Sequence, residues 1–345
     1  MIINKMVIMR NFYILNILLI AIFGNFVCAY ADNFKPVVVY QGSIDKNSYN
    51  LAIHDGVKSF FEKTGMNCTE SVVGFKMDDY LRTVKKYADE GYSPIFIPYG
   101  NHFVHLVSFV RKYPATRFIV LGTVYDEPNI FSFIMAEHEG SFLAGALAAM
   151  ASKSKIIGFI SIQDIPFLRR FCCGYAQGAK HIDPDIKILK GFTGSYPGAW
   201  FDGNATATMA NSMMDKGADV IYQVAGGAGP AVLKAAAKRG KLGIGVDINQ
   251  NGLYPGSVLT SMVKRTDKAV FAALMLAKRG VWRDNYKRLG LEQDAVGIVF
   301  DENNKSLVSF EMRARIENIK KEIELGSILV HDYTEDMKCS ACVKK

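Results

Sequence analysis

Asp247 ends the apolar run Leu242-Gly-Ile-Gly-Val246, where a carboxylate at the carboxyl end of a buried strand projects beyond the sheet. There it can accept two hydroxyl hydrogen bonds, and bonds to a charged acceptor are the stronger kind. It could equally hold the turn ahead of Asn249-Gln-Asn-Gly252. Lys264 closes the apolar run Val258 to Val263 and could reach the same hydroxyls, or stand in solvent beside Arg265. A third feature is a glycine turn. Val220 to Val224 stops at Ala225-Gly-Gly-Ala-Gly229, and Pro230 opens the alanine-rich stretch to Arg239. This pattern reads as strand, turn and helix with proline in the first helical turn. Gly226 and Gly227 would let a ligand approach the positive end of that helix. Tyr99-Gly100 ends another apolar run and belongs to the same rim, and Asn50 carries both a donor and an acceptor. At a helix start Asn50 could also serve as a cap.

Elements that could position these groups alternate along the chain. Pro36 to Tyr40, Pro94 to Ile97 and Phe118 to Leu121 are predicted strands, with helices over Ser48 to Gly65 and about His102 to Lys112. The small apolar stretch Gly140 to Ala151 is a tightly packed helix. A second series follows: strands Ile156 to Ile160, Ile186 to Leu189, Val220 to Val224 and Leu242 to Val246, with helices Pro166 to Ile182, Asn204 to Lys216 and Pro230 to Arg239. Two consecutive series of this kind predict an α/β architecture of two lobes, each with a parallel sheet. The cleft between them would be the ligand site.

Composition narrows the class. Half of the residues are hydrophobic, which makes the chain globular, and about 314 residues remain behind the first 31, enough for two domains. Lys5 and Arg10, the apolar stretch Ile14 to Val27 and Ala29-Tyr-Ala31 form a secretory signal peptide over residues 1–31. Acylation at Cys28, behind Val27, would anchor the chain as a lipoprotein; cleavage after Ala31 would free it. Net charge falls from +8 to +6 without the leader, and the basic residues are scattered, which argues against a nucleic-acid partner. Cys68, Cys172, Cys173, Cys339 and Cys342 are too few for a disulfide scaffold. Cys339-Ser-Ala-Cys342 sits in the tail, away from the strand-to-helix junction of redox motifs, so a tail disulfide or free thiols are expected. His102 and His105 share a helix face without a carboxylate, an incomplete metal site, and no metal or cofactor is expected.

Several segments taken in order resemble the basic membrane protein family of bacterial substrate-binding proteins, which includes purine nucleoside receptors feeding ABC importers. They are Ser48-Tyr-Asn50 with Gly56, Glu139-Gly-Ser-Phe-Leu-Ala-Gly145, Val224-Ala-Gly-Gly-Ala-Gly-Pro230, Ile244-Gly-Val-Asp247 and Leu259-Thr-Ser-Met-Val-Lys264. The likeness covers nearly the whole chain behind the leader. It implies a type I periplasmic binding fold, two Rossmann-like lobes joined by a hinge. It also implies a monomer outside the cytoplasm that passes a nucleoside to an ABC permease. Lobe 1 would span 32–153 with a returning segment near 258–285, lobe 2 would span 154–257, and strands and a helix over 286–332 would precede a tail at 333–345. In the family an aromatic in the place of Trp200, just ahead of Asp202, stacks on the purine, and Tyr49 matches the aromatic of Ser-Phe-Asn that could form the opposite jaw. Trp200 could instead staple its loop to the core. The family's base-reading aspartate has its counterpart at Gly122, with Asp126 four residues on.

Other classes fit less well. There is no G-x-S-x-G and no H-E-x-x-H, and Asp45 alone does not make the aspartate cluster of a nucleoside hydrolase. A sugar-responsive repressor would carry a DNA-binding helix-turn-helix where this chain has its leader. The alternatives are a nucleoside-processing hydrolase, or a binder of another sugar-like or aromatic solute.

Overall fold

Short runs of β-branched and aromatic residues bounded by turns collect into two six-stranded sheets in the computed structural model, which describes residues 34–100, 105, 107–196, 198–281 and 286–342. The expected leader with Cys28 lies outside the described residues, as do Asn101 and His102. The first lobe runs β1 (Val37–Gln41), α1 (Ser48–Thr64), β2 (Thr69–Val73), α2 (Met77–Asp89), β3 (Ile95–Ile97), α3 (Val107–Val110), β4 (Phe118–Leu121) and β5 (Ile130–Met135). The second begins with α4 (Glu137–Ala151), β6 (Ile156–Ser161), α5 (Pro166–Ile182), β7 (Lys187–Phe192) and α6 (Gly203–Asp215). It continues through β8 (Val220–Val224), α7 (Gly229–Lys238), β9 (Leu242–Asp247) and β10 (Val258–Lys264). Helix α8 (Thr266–Lys278) and β11 (Tyr286–Leu289) return to the first lobe. The chain then ends in the second lobe with β12 (Val296–Ile298), α9 (Phe310–Glu324) and α10 (Tyr333–Asp336).

The first sheet has the order β11-β5-β4-β3-β1-β2 and is parallel throughout. The second has the order β12-β10-β9-β8-β6-β7, with only β12 antiparallel. Because its central strands are covered by helices on both faces, they read as continuous apolar runs. The chain passes between lobes at Ala136, at Arg265 and over Gly290 to Ala295.

Local chemistry explains the element that opens the site. Asn47 caps α1, its side chain accepting from the N–H groups of Tyr49 and Asn50, and Gly65 ends the helix in the left-handed region. The cap is therefore Asn47, not Asn50. Two boundaries also differ from expectation. The first lobe, expected to reach residue 153, ends at Ala136, because α4 packs on α5 and opens the second lobe. The segment 258–285, expected to return to the first lobe as a unit, divides: β10 pairs with β9 in the second sheet, and only α8, packed on α1, joins the first lobe. The tail is fixed across the lobe instead of within itself, through a disulfide between Cys339 and Cys173 of α5.

Candidate functional site

A cavity of about 420 Å³ lies between the lobes, where the carboxyl ends of both sheets face each other. The first lobe contributes Gln41, Tyr49, Tyr99, Gly100, Gly122 and Thr123; the second contributes Trp200, Gly226, Asp247 and Lys264. Seven of the nine residues singled out from the sequence thus share one cavity, and Asn50 and Gly227 are the exceptions.

Asp247 closes β9 with φ +67°, a left-handed conformation that aspartate tolerates better than most residues. Its Oδ2 accepts from Ser48 Oγ at 3.0 Å, a bond from the start of α1 across the cleft. Burial pushes its carboxyl up from the ordinary range, and Lys264 and Ser48 offset this only in part. Lys264 is buried rather than solvated beside Arg265. Its Nζ lies 3.8 Å from Asp247 Oδ1 and 3.3 Å from Glu137 Oε1, and it faces the Tyr49 ring at 4.4 Å. The Tyr49 hydroxyl is turned away and donates to the Pro98 carbonyl at 2.6 Å, so its ring is the surface presented to the cleft.

Trp200 rides on a short 3-10 turn, Ala199–Phe201, directly ahead of Asp202, which caps α6 by accepting from Ala205 N. One edge of the indole packs on Gly226 and the small-residue cluster behind it, and the side chain also lines the cavity. The stapling and lining roles therefore coexist in one residue.

Asn50 does not reach the cavity. It is fully buried, and its amide donates to the carbonyls of Gln41 and Ser43 while its oxygen accepts from the Tyr99 hydroxyl at 2.6 Å. With its polar groups committed, Asn50 braces Tyr99 instead of reading a ligand. Gly227 is also elsewhere. A Cβ there would collide with the Lys46 carbonyl and the Phe201 ring, so this glycine lets the two lobes meet at the cleft mouth.

Glu137, the first residue of α4, lines the cavity and was missed from the sequence. It joins a buried chain of alternating charge. Arg170 donates to Glu137 Oε2 and to Asp332 Oδ1, each at 2.9 Å, and to Thr334 Oγ1 at 2.8 Å. Among the described residues, the charged side chains lining the cavity are Asp247, Lys264 and Glu137. The remaining polar lining is neutral and includes Gln41, Asn47, Thr123 and Gln163. Gly122 sits in the left-handed region at the end of β4 and lines the cavity, whereas Asp126 is exposed and does not.

The far end of the charge chain predicts an acid limb of stability. Burial alone would raise the Asp332 carboxyl, but Arg170, His138 and the Thr334 N–H together hold it down at about 2. Burial drives His138 the other way, from 6.5 to about 4. Both groups bind protons more readily when unfolded, so stability is full above about pH 6.5 and falls as pH drops. Chemical denaturation should show a loss of about 3 kcal/mol between pH 6.5 and pH 4 from His138, and more below pH 4 from Asp332. A His138→Gln variant should lack the upper limb; an unchanged profile would disprove the assignment.

No helix among the described residues is long and apolar enough to cross a membrane. Residues 34–330 match the family described as ABC transporter substrate-binding protein PnrA-like. Basic membrane protein D of Borreliella burgdorferi strain JD1 is 31% identical over 319 residues, covering 88% of this chain and 89% of that one. The ABC transporter nucleoside-binding protein BmpA of Lactococcus lactis subsp. cremoris is 29% identical over 210 residues, 59% of this chain and 58% of its own. An ABC transporter solute-binding protein from Aeropyrum pernix K1 superposes with a TM-score of 0.76 at 22% identity, covering 86% of this chain and 93% of that one. That likeness places the two lobes in the type I periplasmic binding fold. With a family match that spans nearly all the described residues, the chain belongs to the PnrA-like substrate-binding proteins of ABC transporters, an extracytoplasmic family.

Proposed function

We propose that this substrate-binding protein captures a nucleoside in the interlobe cleft and delivers it unaltered to an ABC permease. The observation that carries the reading is the buried Asp247–Lys264 pair sharing one cavity with the Trp200 and Tyr49 rings. A ribose offers two adjacent hydroxyls to a carboxylate, and a base offers a flat π surface to the aromatic side chains. The cavity volume of about 420 Å³ lies in the range of small-molecule sites. The relative from Lactococcus lactis that carries nucleoside binding in its name supports the same ligand class. A purine nucleoside is the first choice. Where the family's purine receptors have an aspartate, Gly122 leaves neutral amides such as Gln41 and Gln163 to meet the base edge, each offering a donor and an acceptor.

Capture works by closure. Ligand touches both lobes only when they meet, so binding shifts the hinge equilibrium by that differential affinity. Secretion through the leader and action as a monomer complete the reading.

The test is to incubate purified protein with guanosine, adenosine and inosine, then identify bound and released species by mass spectrometry. Intact nucleoside retained without free base is the expected result; liberated base would make the protein a hydrolase, and no retention would remove nucleosides as ligands. Trp200→Ala should weaken binding by about 1–3 kcal/mol in calorimetry, the contribution of one stacking face. Because the indole also packs on Gly226, the melting temperature should fall as well, and a fall with intact affinity would leave Trp200 only its stapling role.

A further inference from the structure

Two of the three charges of the cleft stand at places where the chain passes between lobes. Glu137 follows the first passage at Ala136, and Lys264 precedes the second at Arg265. Their ion pair, 3.3 Å long and buried at both ends, therefore ties two passages together. Two residues on, Glu139 accepts from the Leu291 N–H at 2.8 Å and ties the first passage to the third.

Geometry around Lys264 is lopsided. Its ammonium is nearer to Glu137 than to Asp247, 3.3 Å against 3.8 Å, and the Tyr49, Phe167 and Phe171 rings wall it in. An ammonium has three donors and no acceptor, so one donor held by Glu137 leaves others for the cleft. Glu137 is itself held from behind by Arg170, and Arg170 by Asp332 of the C-terminal segment. That segment is clamped to α5 by the Cys173–Cys339 disulfide and by paired hydrogen bonds between Gln177 and the His331 backbone.

We infer that Glu137 is the positioning residue that keeps Lys264 available to ligand hydroxyls, with Arg170 and Asp332 bracing it. Without the Glu137 carboxylate, the nearest anion left to Lys264 is Asp247. The two would close into a pair with each other, and both would be withdrawn from the ligand. Glu137 thus sets hydroxyl recognition through the placement of Lys264. The inference rests on the nucleoside reading of the cleft.

Calorimetry with adenosine and inosine and with their 2′,3′-dideoxy analogues separates the possibilities. Native protein should prefer the ribonucleosides by about tenfold to a hundredfold, as expected for hydrogen bonds to charged groups. In Glu137→Gln that preference should shrink to about threefold or less through weaker ribonucleoside binding, with dideoxy affinity held, since only bonds to the charged pair are lost. Equal losses for both ligand types would mark Glu137 as merely structural and overturn the inference, as would an undiminished preference. If native protein binds both types without preference, capture of nucleosides survives and the positioning role does not. If it binds none of the four, the nucleoside reading itself fails and the inference with it. Should Glu137→Gln not melt cooperatively, Asp332→Asn repeats the test from the far end of the brace, with a smaller narrowing in the same direction expected.

Discussion

Replacing Arg170 with methionine should destabilise the protein by about 3–5 kcal/mol, the usual penalty for removing one partner of a buried ion pair. Arg170 is 4% exposed and serves two carboxylates, Glu137 and Asp332, each 1% exposed. Methionine fills much of the same volume, so the loss reports charge and hydrogen bonding more than an empty space. Glu137 would keep Lys264 as a partner at 3.3 Å. Asp332 would keep the half-exposed Arg288, also at 3.3 Å, and would lose its buried one. Urea denaturation at neutral pH measures the effect. As pH falls towards the folded Asp332 value of about 2 the difference should shrink, because that carboxyl, once protonated, no longer needs the cation. A loss below about 1 kcal/mol would mean that the chain of charges contributes as little as a surface pair.

Asp247→Asn should separate binding from stability. The amide is close to isosteric, suits the left-handed backbone and can still accept from Ser48 Oγ. It cannot offer two charge-assisted acceptors to a diol, so nucleoside affinity should fall by about 2–4 kcal/mol. Ligand-free stability should move oppositely at neutral pH. Burial raises the Asp247 carboxyl, so the folded state favours its neutral form, and asparagine supplies that form permanently. The gain should shrink as pH falls below the folded pKa and vanish near the unfolded value, where aspartate is neutral in both states. Unchanged affinity in a variant that melts like the native protein would remove Asp247 from the site.

The two sheets were legible because buried parallel strands are short apolar runs separated by helical patterns. The misses have local causes. Strand β2 is an edge strand, Thr-Glu-Ser-Val-Val, with no residue fully buried. Helix α2 buries only Tyr80, Val84 and Ala88, a single row too thin to stand out among its charges. Strand β5 follows β4 through a loop without a helix, which breaks the alternation. The lobe to which β10 belongs is decided by pairing with β9, and no residue of β10 announces it. At the site, Asp247 and Lys264 could be found because each ends a recognisable strand. Glu137 could not, since the strand that delivers it went unread. Asn50 has the right chemistry for a ligand, but its partner Tyr99 lies 49 residues away. Gly227 was correctly marked as a place of close approach, with the wrong visitor: the Lys46 carbonyl fills it.

The backbone at Asp247 carries one more consequence. A left-handed residue with a side chain is comfortable chiefly as asparagine or aspartate, and other types pay about 1–2 kcal/mol there. Point mutation can therefore explore few alternatives at that position without eroding the fold. A descendant that drifts towards a new solute would have to change at Gln41, Thr123 or Gln163 first, where the neutral wall imposes no such backbone demand. Diversification in this protein is channelled to one end of its cargo, and the other end is inherited with the turn.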